Sequence, residues 1–458
     1  MVANFTNEGR KIMNQTKELR MSTKGILSLA LLLVTVIFVM QKSTLVQASS
    51  ATQKVEKNGV YYTFLDENQF KKCYTMDSEE NYSYYLQPEK YNDVLSKIKE
   101  KGGIYAVMNG YKGTNPTVSI ENEIDGMPVM IVSFYYDEVV NDDDVDSNEI
   151  TAISIPANVV DFDLGEYGEI NIDQNNRYFT VKDGVLYNKA LTEILCYFNT
   201  KVMNGVYNVP ENITKLESYP ADVEIINLSS NVVSLPEHDA SETLTAINVV
   251  EGNKKYSSLN GVLYNKDKTT LMFYPMSKKD KTYKMPNTVK DISECVLMRQ
   301  KYLEELVISD KVTVIPSYFA DGAKNLKSVH LPKKLKKIEG WAFEDCTKLK
   351  KVTVPSACNS MNRAFSGCKT TITIKSKKIR LYLDVANNDN KKNTFVIKKG
   401  TQITCYTNAQ SGIKSKTNSI LSIKKKGKYG TDYTIKVLKT GKTTVKCYRD
   451  KLNFKVVK

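Results

Sequence analysis

Three segments of the chain repeat one short pattern, LEELVIS from Leu303, LKSVHLP from Leu326 and LKKVTVP from Leu349, at a period of 23 residues. The register holds inside each copy: Val312 is answered by Leu335, Ile315 by Ile338 and Tyr318 by Trp341. The run Ala342-Phe343-Glu344-Asp345-Cys346 returns one residue early as Ala364-Phe365-Ser366-Gly367-Cys368. A short fixed period excludes most compact folds. One coil cannot bury its apolar face alone, so neighbouring coils must stack into a solenoid with a continuous core.

The same spacing recurs upstream as ITAISIP from Ile150, YGEINID from Tyr167, VEIINLS from Val223 and LTAINVV from Leu244. With weaker copies near Val118, Val209 and Met285 the count reaches about eleven coils. A longer repeat is laid over the first. NNRYFTVKDGVLYNKALTEILCYF, residues 175–198, returns as NKKYSSLNGVLYNKDKTTLMFYP, residues 253–275, with Gly184 matching Gly261 and Tyr197 matching Tyr274. Two alternating apolar runs joined by a short polar turn read as a β-hairpin. Each copy is followed by a similar re-entry, at Tyr207 and at Tyr283.

Composition divides the rest of the chain. Residues 26–40 (ILSLALLLVTVIFVM) are an uncharged run preceded by Lys24 and followed by Val46-Gln47-Ala48, a cleavage candidate. That is secretory grammar, and the run is shorter than the roughly 20 residues a spanning helix needs. Residues 1–48 are therefore expected to be a signal peptide or an N-terminal anchor, with Met21 a more ordinary start than Met1. Either reading places the remainder outside the cytoplasm. Residues 52–102, polar and tyrosine-rich with one helix expected over 89–101, are read as an N-terminal cap. The chain carries a net charge of +14, and residues 375–458 alone hold 22 basic against 4 acidic side chains, a balance of +18. The basicity belongs to the tail. The eight cysteines show no paired spacing of the CxxC kind. Cys346 and Cys368 occupy equivalent repeat positions and are expected as stacked buried thiols. Cys405 and Cys447 lie in alternating strand patterns that could face each other, which leaves a disulfide between them open.

The L-x-x-L-x-I-P coils, the AF-x-x-C turn, the GYKG and IDGMPV segments and the doubled GVLYNK cassette resemble the BspA-like leucine-rich repeats of bacterial surface proteins, over about residues 103–374. The sequence departs from that pattern at Phe319-Ala320, where the pair is inverted, and in the acidic insert after Tyr136. The resemblance implies a right-handed curved solenoid with one parallel strand per coil. For function it implies a secreted or surface display module linked to adhesion or host-protein binding. The segments FVIKKGTQITCYT, ILSIKKKG, YTIKVLKTGKTTVKCYR and LNFKVVK resemble bacterial immunoglobulin-like domains, and short alternating strands with glycine turns fit a sandwich in their own right. The expected fold class is mainly β: a leucine-rich-repeat solenoid over residues 103–374 with two hairpin cassettes, followed by a small basic Ig-like β-sandwich over 375–458.

Catalysis is hard to build from these residues. The two histidines, His238 and His330, fall in no HExxH motif, no zinc-ligand spacing and no G-x-S-x-G elbow. The acidic cluster Asp142-Asp143-Asp144-Val145-Asp146-Ser147-Asn148 begins like a calcium loop, yet Ser147 stands where glycine is required and Ile153 where glutamate is required. It is read as a solvated loop. No catalytic residue, cofactor or metal is expected, and the chain is not expected to be an enzyme.

The outward positions of the coils offer a better surface. Strands about 4.8 Å apart place alternate side chains in rows. Stacking therefore aligns Glu304 with Lys327 and Lys350, Glu305 with Ser328 and Lys351, and Val307 with His330 and Thr353. This polar stripe is the candidate ligand face, with an extracellular protein or glycan as partner. Its bland reading is simple pairing of Glu304 with Lys327 across strands. Lys424, Lys425, Lys426 and Lys428 form a candidate polyanion patch for anionic cell-wall polymers, against the bland reading of a soluble lysine-rich surface. Nucleic acid is not expected as a partner of an exported chain. The sequence thus points to an exported, non-enzymatic binding or adhesion protein. Two other classes stand beside it: a structural envelope component held by the basic tail, and, least favoured, an enzyme with its site in the hairpin inserts.

Overall fold

The computed structural model describes residues 54–74, 91–100, 102–133, 150–163, 169–198, 205–236, 242–383, 393–407, 413–426, 432–447 and 450–458. The segment 1–48, the acidic cluster 142–148 and Lys428 lie outside the described residues. The chain divides into two compact units, residues 1–181 and 182–458.

The first unit opens with the antiparallel strands Lys54–Lys57 and Val60–Asp66. Asp66 then caps helix α1, Glu67–Tyr74, in a reciprocal box. Its Oδ1 accepts the Gln69 N–H at 2.8 Å, and Gln69 Oε1 accepts the Asp66 N–H at 2.8 Å. Helix α2, Tyr91–Glu100, buries Val94 and Ile98 one turn apart. It stops at Gly102 and Gly103, whose φ of +84° and +79° continue no helix; the Gly103 N–H reaches the Ile98 carbonyl at 2.8 Å. Phe70 of α1 stacks on Tyr91 at 5.6 Å and meets Tyr105 edge-on at 5.7 Å. The pattern of residues 52–102 pointed to α2 alone. In α1, eight residues are too few to display a period. Val60–Asp66 also pairs antiparallel with Ile104–Tyr111, and parallel pairing continues to Met127–Ser133 and Asp161–Asp163. A second parallel sheet holds Thr117–Ser119, Ala152–Ile155 and Glu169–Ile172.

The second unit carries the regular coils. Its main strands pair in parallel in two runs: Val206–Asn208, Ile225–Leu228, Ala246–Val249, and Thr282–Lys284, Glu305–Val307, Ser328–His330. Glu305 faces Ser328 and Leu306 faces Val329, which is the 23-residue period expressed as register. Short second strands, Val314–Ile315, Lys337–Ile338 and Ser360–Asn362, stack in a sheet of their own. Between the two layers Phe343 packs against Phe319 at 5.7 Å, edge-on, and against Phe365 at 5.3 Å, face to face. Cys346 and Cys368 are both fully buried beside them. Each thiol donates to a carbonyl one coil back, Ala320 at 3.2 Å and Phe343 at 3.1 Å. Burial pushes the Cys368 thiol up to about 12 and Cys346 well above its ordinary value, so both are inert core groups.

The hairpin cassettes are woven into this stack. Val185–Asn188 pairs antiparallel with Glu193–Tyr197, and Val262–Asn265 with Thr270–Phe273. In each, the second strand then pairs in parallel with a coil strand, Lys215–Leu216 or Asp291–Ile292. One device closes both turns. Asn188 Oδ1 accepts the N–H groups of Thr192 and Glu193 at 2.8 and 3.1 Å, and Asn265 Oδ1 those of Thr269 and Thr270 at 2.8 and 2.9 Å.

The tail does not separate from the solenoid at Lys375. Lys378–Leu383 adds in parallel to Ser360–Asn362, and Thr394–Lys398 adds in parallel to Thr371–Ile374. Both layers run on through Gln402–Thr407 and Asp450–Val457 before antiparallel strands finish them. One hydrophobic core extends from Val262 to Val456. The expected break came from composition: lysines fill the outward positions and the leucine spacing lapses. The inward positions Ile379, Leu381, Phe395 and Ile397 are nevertheless buried like those of any earlier coil. Cys405 is buried in one layer and Cys447 ends a strand of the other, but the side chain of Cys447 is outside the described residues.

Candidate functional site

The candidate stripe is assembled on the face of Thr282–Lys284, Glu305–Val307 and Ser328–His330. Alternation forces this: Leu303, Leu306 and Ile308 turn into the core, so Glu304, Glu305 and Val307 turn away from it. Lys327 Nζ reaches Glu304 Oε2 at 2.5 Å, and Lys281 Nζ lies 3.9 Å from the other oxygen. The hydrogen bond from Lys327 holds the Glu304 carboxyl below its ordinary value. His330 Nε2 is 3.1 Å from Glu305 Oε1, a diagonal contact across one strand spacing. Ser328 is half-buried between them. Lys350 and Lys351 are exposed and open the next hydrogen-bonded group of strands, where Lys351 faces Thr371. Lys350 Nζ turns back to the Thr347 carbonyl at 3.0 Å. The stripe is thus one linked row over three coils, with Lys350 and Lys351 outside its ion pairs in the fourth.

A second row lies on the equivalent face upstream. Asn227 Nδ2 donates to Asn208 Oδ1 at 2.7 Å, and Asn248 Nδ2 donates to Asn227 Oδ1 at 2.9 Å. Side-chain amides chained in this way expose donors and acceptors in a line. The signal was present in VYN, INL and INV, where asparagine takes the same outward step each time.

Lys424, Lys425 and Lys426 are all exposed on Leu421–Lys426, the last strand of its sheet. Lysines on a terminal strand obstruct pairing with a further strand, which gives the patch a structural role whatever it attracts. Among the described residues no group of three or more His, Cys, Asp or Glu could hold a metal. A cavity of about 20 Å³ beside Phe365, Phe395 and Leu452 has room for about one water molecule.

Among the described residues, Asp321 is the carboxylate pushed furthest up from its ordinary value. Burial and the neighbouring Asp345 carboxylate push it up to about 6, against the opposing pull of Arg299, the Gly322 N–H and Lys324. A raised folded value means stability is greatest below the unfolded value of 3.8 and falls as pH rises through about 6. Asp321→Asn is expected to melt higher than the parent at about pH 7.5 and alike at about pH 4, a comparison that thermal scans at the two pH values make directly.

No curated protein matches the chain. The structure is similar to that of the pneumococcal vaccine antigen PcpA, at 15% identity and a TM-score of 0.43, covering 77% of this chain and 95% of that one. It is also similar to a leucine rich cell surface protein from Faecalibacterium prausnitzii, at 14% identity and a TM-score of 0.40, covering 80% and 97%. A leucine-rich repeat protein from Eubacterium ventriosum follows at 16% identity and 0.38, covering 77% and 88%. No helix among the described residues is long and apolar enough to cross a membrane. Residues 272–393 match the BspA type leucine rich repeat region in six copies, so the stretch that stacks most regularly, continuing past residue 374, is the stretch similar to that family.

Proposed function

We propose that the chain is an exported, non-enzymatic cell-surface protein that binds an extracellular protein or glycan through the outward face of its coil strands. The observation that carries this reading is the row Lys281, Glu304, Lys327 with Glu305 and His330 beside it: polar side chains held in register by the parallel pairing of their strands. The similarity of residues 272–393 to BspA type repeats supports it. Rigid presentation lowers the entropy lost on binding. The signal or anchor segment would deliver the chain outside the cytoplasm, and the terminal lysines Lys424, Lys425, Lys426 and Lys428 would hold it near anionic wall polymers. In the alternative reading the same lysines serve an envelope component with no ligand of its own.

The test is the double charge reversal Lys327→Glu with Lys350→Glu in the full chain. An exposed ion pair is worth less than about 1 kcal/mol, so melting should be nearly unchanged. Binding to a panel of immobilised extracellular proteins and glycans should weaken. Unchanged capture by every member of the panel would remove the stripe as a binding face, and concentration-dependent self-assembly with no capture would favour the envelope component.

A further inference from the structure

In four successive coils one turn residue adopts the left-handed backbone region: Cys295 (φ +56°), Tyr318 (+52°), Trp341 (+54°) and Arg363 (+42°). Glycine or asparagine is the usual occupant, and bulky side chains there are strained. None of the four is glycine or asparagine. Three of them show what the strained turn positions. The Tyr318 and Trp341 rings stack with centroids 5.2 Å apart and planes at 11°, and the Arg363 guanidinium lies 4.7 Å over the Trp341 ring. The column therefore reads guanidinium, indole, phenol. Its next position holds Cys295, whose short side chain covers little of a ring. Tyr318 is accordingly 36% exposed, while Trp341 and Arg363 are half-buried.

The column already displays its preference, since the outer face of the indole is occupied by the chain's own cation. Aromatic faces attract cations through the ring quadrupole. At Tyr318 the Glu344 and Asp321 carboxylates lie close enough to reinforce the attraction: after partial burial they are the next causes that raise its phenol, while Arg363 opposes them. We infer that the uncovered face of Tyr318 is a docking site for a lysine or arginine side chain of a partner protein, completing a cation–phenol–indole–guanidinium stack. A neutral sugar ring would also cover an exposed phenol, but the adjacent carboxylates favour the cation. This surface belongs to the coil turns and is separate from the strand-face stripe.

Trp341 is the chain's one tryptophan, so its emission reports on the column alone. The full chain is titrated with an oligo-arginine peptide, an oligo-serine peptide of equal length and a neutral maltodextrin. Only oligo-arginine should perturb the emission. Tyr318→Gly deletes the ring and relieves the left-handed strain together, so it should melt no lower than the parent while losing about tenfold in affinity for oligo-arginine. Tyr318→Phe should retain the affinity. An emission indifferent to oligo-arginine at millimolar concentration, undiminished affinity in Tyr318→Gly, or a larger response to maltodextrin would each overturn the assignment.

Discussion

A chain ending at residue 374 is expected to aggregate or to lose cooperative melting, because the cut falls inside two continuous sheets. Thr371–Ile374 would lose its partner Thr394–Lys398, and Ser360–Asn362 would lose Lys378–Leu383. Met361, Phe365, Ile372 and Ile374, now buried, would face water. At about 1.5–3 kcal/mol for each exposed side chain, four of them approach the roughly 5–15 kcal/mol by which a domain is stable. Two unpaired strand edges would add a template for association. Size-exclusion chromatography and a thermal melt of residues 1–374 decide the matter. A monodisperse product melting like the full chain would show that residues 375–458 are an independent domain after all.

Phe343→Ala should be the most damaging single substitution in the regular coils. Phe343 is fully exposed to nothing but protein, held between Phe319 and Phe365, with its carbonyl accepting the Cys368 thiol. Truncating such a ring costs about 3–5 kcal/mol, lost burial and the cavity together. The change should lower the melting temperature by roughly 10 °C. Phe343→Leu, which refills most of the volume, should recover much of that loss. A melting shift for Phe343→Ala as small as that of an exposed substitution would mean that the aromatic stack does not carry the coil-to-coil contact.

The coils were legible because their signal is the core itself. Leu306, Val329 and Val352 are inward side chains repeated at one step, and burial selects them directly. The strand face of the stripe followed from alternation, as did the pairing of Glu304 with Lys327. Contacts that run diagonally or bend back, His330 to Glu305 and Lys350 to Thr347, escape a reading that aligns only equivalent positions. The stacked turn was half visible, as Tyr318 matched Trp341. Arg363 precedes Ala364 as Trp341 precedes Ala342, but an arginine breaks the aromatic pattern, and left-handed backbone leaves no mark in composition. At Lys375 outward lysines change composition without touching the inward alternation along which both sheets continue.

The reversal of strand direction in the last part of the second unit carries a consequence for assembly. A stack of parallel coils is open-ended, since each coil presents the same edge that it covers on its neighbour. Asp432–Val437 runs against Gln402–Thr407, and the lysine-bearing strand Leu421–Lys426 lies beyond it. Two reversals bring Leu421–Lys426 back to the direction of the coil strands, so what an incoming coil of another molecule would meet at this edge is the exposed like charges of Lys424, Lys425 and Lys426. Repulsion between those lysines and their counterparts on a second copy opposes lengthening of the stack at this edge.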